Sequence, residues 1–233
     1  MYRRCLIKVS GEALAGQRKF GIDPEKTAWI AREIAKAAKK GSQIGIVVGG
    51  GNILRGVNAA SVGVEPLIGD HMGMLATILN GMALRSALFK VGVEARVLCA
   101  FQVGSFVEVF DQEKALSYLE EGRVVIFTGG TGNPCFTTDS AAALRAVQIK
   151  AEVMVKATQV DGVYDKDPRQ YSDAIRFESI TSSEVLERRL KVIDAASVEI
   201  LRRVEMPILV INLHAEGNIE RALSGHKMGT IIN

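Results

Sequence analysis

The sequence predicts an α/β fold, a mainly parallel open sheet with helices on both faces, which makes a three-layer α/β/α sandwich. Three observations lead there. Short β-branched and aliphatic runs alternate with longer stretches of helical periodicity along all 233 residues. The run Ile44-Gly45-Ile46-Val47-Val48 is too uniformly apolar for a strand with one wet face and belongs inside a parallel sheet. Glycine clusters follow several strand runs directly, at the carboxyl ends where ligands of such sheets bind.

The elements follow in order. Cys5 to Val9 reads as the first strand. Pro24 to Lys40 reads as a helix, with Ile30, Ile34, Ala37 and Ala38 on one stripe and Gly41 closing it. After the 44–48 strand, further strands are expected at Glu94 to Leu98, Arg123 to Phe127, Glu152 to Lys156 and Ile208 to Ile211. Helices are expected at about 71–91, 111–121, 138–149 and 217–223. Within the first of these, Met72, Met74, Leu75, Ile78, Leu79 and Met82 are apolar on more than one face, a pattern for core or a subunit interface.

Composition narrows the function. Hydrophobic residues make up 48% and charged residues 24%, as in a globular domain, and the length suits one large domain or two small ones. A net charge of +3 without long basic blocks gives no case for nucleic acid. Cys5, Cys99 and Cys135 share no Cys-x-x-Cys spacing and lack a nearby histidine, so no zinc site is expected, and a reducing cytoplasm is. The apolar N-terminal stretch stops at Lys8, short of a signal-peptide core. The uncharged run His71 to Leu84 falls below the roughly 18 residues of a membrane span, so no membrane partner is expected.

The common nucleotide fingerprints are absent: Leu54 and Cys135 stand where Gly-x-Gly-x-x-Gly requires its third glycine. Gly49-Gly50-Gly51 after a buried strand nevertheless lets backbone amides approach a phosphate closely, and Arg55 can add a guanidinium. A plain turn with a solvated arginine is the other reading. A second loop, Gly129-Gly130-Thr131-Gly132-Asn133-Pro134, leads through Phe136-Thr137-Thr138-Asp139 into an Ala-rich helix whose N-terminus favours an anion. A capping box at Thr138 and Asp139 is the alternative there. Lys8, a charge in an apolar strand, either snorkels to the sheet edge or meets a ligand anion, and the same holds for Lys156. His71, His214 and His226 are isolated and read as core or surface.

Taken together, five segments resemble the bacterial uridylate kinases of the amino acid kinase superfamily. They are Lys8-Val9-Ser10-Gly11-Glu12-Ala13-Leu14, Gly49-Gly50-Gly51-Asn52-Ile53-Leu54-Arg55-Gly56, Gly69-Asp70-His71-Met72-Gly73-Met74, the Gly132-Asn133-Pro134 and Phe136-Thr137-Thr138-Asp139 pair, and Lys156-Ala157-Thr158 with Val160-Asp161-Gly162-Val163-Tyr164. The resemblance spans the chain in order, and the third and fourth segments point to a UMP acceptor. Cys135 departs from a usual aromatic residue and Gln159 from a usual Lys or Asn.

The resemblance implies one domain over 1–233 with an amino acid kinase-like fold, its N-terminal part mainly on the UMP side and its C-terminal part mainly on the ATP side. It implies ATP- and Mg²⁺-dependent conversion of UMP to UDP by a cytoplasmic homohexamer, with GTP as activator and UTP as inhibitor. Carried over, Lys8, Val9, Ser10, Gly11, Gly51, Arg55, Thr158, Tyr164 and Asp167 meet ATP. Gly50, Asp70, Thr131, Gly132, Asn133, Pro134, Cys135, Phe136, Thr137 and Thr138 meet UMP. The segment Gly16, Gln17, Arg18, Lys19, Phe20, Gly21 is the one linked to GTP.

Lys8, Arg55, Asp139 and Asp194 are the catalytic candidates, the aspartates as orienting groups for Lys8 or hydrated Mg²⁺, with no metal held by protein ligands alone. A phosphate-monoester acceptor is already anionic near neutral pH, so no base is needed. A superfamily kinase for a carboxylate or carbamate, and a nucleotide-binding regulatory or storage module without turnover, are the alternatives. The Asp70 and Asn133-Pro134 segments argue against the first, and the charges at Lys8, Arg55 and Asp139 against the second.

Overall fold

The computed structural model describes residues 1–18, 20–54 and 63–233. Strand β1 is Arg4–Val9, followed by helix α1 (Gly11–Ala15), helix α2 (Pro24–Ala38) and strand β2 (Gln43–Val48). Helix α3 (Pro66–Lys90) leads to β3 (Ala95–Cys99), β4 (Glu108–Val109), α4 (Gln112–Glu120) and β5 (Val124–Thr128). Helix α5 (Thr138–Gln148) and β6 (Val153–Thr158) come next, then β7 (Ser179–Ile180), α6 (Ser182–Glu187) and α7 (Ala195–Arg202). The chain closes with β8 (Ile208–Asn212), α8 (Asn218–Leu223) and β9 (Thr230–Ile232).

These strands form one sheet in the order β4-β3-β5-β2-β1-β6-β8-β9-β7. Pairing is parallel throughout the described residues except between β8 and β9. The expected sandwich is therefore observed. Period-two alternation divides its core: Cys5, Ile7 and Val9 of β1 pack with α2, α3 and α8, while Leu6 packs with Val47, Phe127 and the alanines of α5 on the other face. Six strands read from the sequence lie in the middle of this sheet, which is why their apolar runs were unbroken.

Several elements differ from expectation. Helix α3 begins at Pro66, five residues before the expected start, because proline at the first helical position supplies the right φ and lacks only an N–H that would be unpaired there anyway. Asp70 consequently lies inside the helix and does not cap it. Helix α3 is also long and apolar enough, by length and composition, to cross a membrane. In this fold one of its faces packs on α2, β3 and β5.

Candidate active site

The register of the sheet builds the centre of the site. Lys8 on β1 is paired directly with Lys156 on β6, so both side chains project from the same face toward the N-terminus of α5. Two ammonium groups side by side would repel, and Asp139, in the first turn of α5, lies between them. Its Oδ1 is 2.9 Å from Lys8 Nζ, and its Oδ2 accepts a hydrogen bond from Lys156 Nζ. The Lys8 contact has ion-pair distance without hydrogen-bond direction, leaving that buried oxygen's lone pairs otherwise unmatched. Burial pushes the Lys156 ammonium below its ordinary pKa; Asp139 opposes the shift and Lys8 adds to it. One carboxylate thus holds two cations, and the cluster keeps a net positive charge facing the cleft.

Asp194 is tied into hydrogen bonds of the protein itself. It caps α7 by accepting from Ser197 N at 2.8 Å, and it also accepts from the hydroxyls of Thr137, Ser140 and Ser197. Burial raises its pKa, but the hydrogen bonds from Thr137, Ser197 and Ser140 outweigh this and hold the carboxyl below the usual range. Asp139 is the carboxylate on Lys8, and Asp194 holds the start of α5. Thr137 is the cap of α5, accepting from Asp139 N and Ser140 N, so the capping box considered at Thr138 is not formed.

Besides a cavity of about 440 Å³ lined by Asp139 and Asp194 among others, two cavities hold most of the residues that the motifs singled out. The smaller, about 320 Å³, is lined by Gly50, Gly51, Asp70, Asn133, Pro134, Phe136, Thr137 and Thr138, among others. The larger, about 690 Å³, takes Lys8, Ser10, Lys156, Thr158, Tyr164 and Asp167, together with basic residues that the motifs did not single out. Glu12 belongs to both walls. The smaller cavity is lined by residues within 12–138, the larger by Lys8, Ser10 and Glu12 and then by residues within 156–192. Gly51, expected on the ATP side, lines the smaller cavity. Val9 is fully buried, and Thr131, Gly132 and Cys135 shape their loop without lining either cavity. Arg55 and Lys19 lie outside the described residues.

Local geometry explains the glycines. A Cβ on Gly50 would come within 2.5 Å of Gly73 O, and one on Gly51 within 2.8 Å of a Glu12 carboxylate oxygen. The second loop turns through positive φ at Gly129, Gly130, Gly132 and Cys135. Thr77 of α3 accepts from Gly129 N at 2.7 Å, and Asp70 Oδ2 accepts from Cys135 N at 2.8 Å. Asp70 therefore fastens the loop to α3 while still facing the cavity. In the larger cavity the Tyr164 hydroxyl donates to Asp161 at 2.6 Å, which raises its pKa. Among the described residues of the 16–21 segment none lines either cavity, but Gly21 is bonded to Asn52 through both its N–H and its carbonyl. His71, His214 and His226 are all exposed.

The profile of the amino acid kinase family matches residues 3–212. A uridylate kinase of Brucella anthropi is 50% identical over 232 residues, covering 100% of this chain and 97% of that protein. One from Xanthomonas campestris is 46% identical, covering 99% and 96%. Among solved structures, a UMP kinase from Bacillus anthracis superposes with a TM-score of 0.96 at 34% identity, covering 100% of this chain and 96% of that one. A UMP kinase from Ureaplasma parvum gives a TM-score of 0.93 at 36% identity, covering 100% and 99%.

Proposed function

The chain belongs to the amino acid kinase family, and we propose that it transfers the γ-phosphate of ATP to UMP, giving ADP and UDP in pyrimidine nucleotide synthesis. The observation that carries this reading is a pair of unlike cavities that share Glu12, the larger holding Lys8 and Lys156 and the smaller ending at Thr138, the residue before the Asp139 that both lysines touch. A transfer between two polyanions needs two sites and a positive centre between them. UMP takes the smaller cavity, with its ribose toward Asp70 and its phosphate toward Gly50, Gly51 and the N-terminus of α5. ATP takes the larger, with its base toward Tyr164 and Asp167 and its phosphates toward Lys8 and Ser10.

The acceptor oxygen is anionic at neutral pH, so Asp139 abstracts no proton; it holds Lys8 and Lys156 where charge builds on the transferred group. Among the described residues no three His, Cys, Asp or Glu stand together as a metal cage. Mg²⁺ would come as an ion carried by the nucleotide, with Asp139 and Asp194 reached through its waters. Bound with ATP, it would neutralise part of the β,γ-phosphate charge.

The assembly we propose is a homohexamer. Ile68, Met72, Leu75, Leu79 and Met82 are exposed on α3 at alternating four- and three-residue steps, with Phe89 exposed further along, and this seam suits a second copy of the chain. An exposed free thiol at Cys135 suits a reducing cytoplasm. GTP activation through the 16–21 segment is supported by the bonds from Gly21 to Asn52, one residue past the glycine loop. UTP inhibition rests on sequence resemblance.

Coupled ADP release with ATP and a panel of acceptors tests the reading. UMP should drive turnover well above CMP, dUMP, aspartate, glutamate and carbamate. Preference for a carboxylate or carbamate would make the chain a different kinase of the family, and ADP release that no acceptor stimulates would make it a binding module.

A further inference from the structure

Asn80 lies in α3 with no exposure at all, on the helix face that packs into the core. A buried primary amide is costly unless its donors and acceptor are paired. Here they are: Nδ2 donates to Gly49 O at 2.7 Å and to Asn52 Oδ1 at 2.6 Å, and Oδ1 accepts from Asn52 Nδ2 at 3.1 Å. Asn52, also buried, gives its second N–H to Gly21 O at 2.8 Å. The outward partners are carbonyl oxygens, so each amide must turn its nitrogen toward them, and the reciprocal pairing follows.

This pair stands behind the cleft at the junction of its two walls. A Cβ on Gly11 would lie 2.5 Å from Asn52 Oδ1 and 2.7 Å from Gly51 N, so the glycine loop is pressed against the turn that carries Ser10 into the larger cavity. On the other side, Gly50 is in close approach to Gly73 and Ala76 of α3. Any slack at Asn52 or Asn80 would move Gly50 and Gly51 relative to Ser10.

Resting on the proposed phosphoryl transfer, we propose that Asn52 and Asn80 are a positioning pair, a clasp that fixes the distance between the acceptor and donor phosphates without touching either. Transfer depends steeply on that distance, and about 1 Å of misplacement can cost roughly a hundredfold. A pair that only filled the core would affect stability and leave turnover alone.

Asn80→Leu and Asn52→Ala separate the two roles. The clasp predicts kcat lower by about ten-fold or more in each, with KM for UMP and ATP within about two-fold of wild type. Hydrogen exchange of the Gly49 to Leu54 amides should quicken, and the double variant should be little worse than the worse single one. Folded variants with a lower Tm but wild-type kcat and exchange would overturn the proposal. Asn52→Ala leaves the helix core intact and decides the matter if Asn80→Leu does not fold. Should the wild type fail to phosphorylate UMP, the functional reading falls, while the exchange comparison still tests the clasp.

Discussion

The two cavities are walled by different materials. Around the smaller one stand Gly50, Gly51, Gly69, Gly73 and Gly130, backbone held in place by helix α3, by Thr77 and by Asp70. Around the larger one stand Lys166, Arg169, Arg188, Arg189 and Lys191, long side chains with cationic heads. Backbone cannot change rotamer, so these five glycines stiffen a wall that Leu54, Met74, Asn133 and Phe136 complete, whereas flexible cations adapt to any triphosphate that supplies charge. Selectivity should therefore reside in the acceptor wall, tolerance in the donor wall, and the chemistry at Lys8 and Lys156, which line the donor cavity.

Removal of Lys8 should give the largest effect. Lys8→Ala is expected to lower kcat by about 10²–10³, the range seen when one transition-state donor is lost. The fold should survive, because the β1 backbone pairing does not involve the ammonium. Turnover together with a melting curve checks this, and near-normal kcat in the folded variant would take Lys8 out of the mechanism. The neighbouring Lys156 has its pKa depressed by burial, so it releases its proton at lower pH than an ordinary lysine. The alkaline fall of kcat should accordingly begin below the usual lysine range. Lys156→Arg, which stays charged, should move that limb upward in a pH–rate profile.

The fold was more legible in the sequence than the site was. Central strands announced themselves because burial on both faces leaves an unbroken apolar run, as in Ile44 to Val48. Two-residue strands such as Glu108–Val109 and Ser179–Ile180 carry no periodicity and were not expected. Helix α1 is not visible in the sequence because it has only five residues and opens at Gly11, where Ser10-Gly11 reads equally well as a turn. Lys8 was legible as a charge out of place in an apolar strand. Its juxtaposition with Lys156 and Asp139 depends on strand register and on where α5 starts, which are tertiary facts. The Asn52–Asn80 bonds span 28 residues of sequence, and no local pattern marks them.

Asp70 sharpens the comparison on the acceptor side. Its carboxylate faces the cavity and accepts from Cys135 N, so Asp70→Asn weakens both a ribose contact and the tether of the second loop. Losing a hydrogen bond to a charged group costs about 1.5–3 kcal/mol, so kcat/KM for UMP should fall by about ten-fold or more. The preference for UMP over dUMP should shrink, and KM for ATP should stay put, because the donor wall is untouched. Equal losses for UMP and dUMP would leave Asp70 as a tether alone. A changed ATP KM would instead mean that the two walls are not independent.

Cys135 should show the smallest effect and test whether its backbone, and not its thiol, serves the acceptor site. It has φ 68, a conformation that costs a non-glycine residue about 1 kcal/mol, and its thiol is exposed. Its contribution to the site is the N–H given to Asp70. Glycine keeps that N–H and relieves the strain, while the freer unfolded chain offsets about 0.5–1 kcal/mol of the gain. Cys135→Gly should therefore leave Tm nearly unchanged and kcat/KM for UMP within about two-fold of wild type, an effect under about 0.5 kcal/mol. A large loss of UMP turnover with an intact Tm would show that the thiol itself contacts the acceptor, and the contrast between a backbone wall and a side-chain wall would fail at that position.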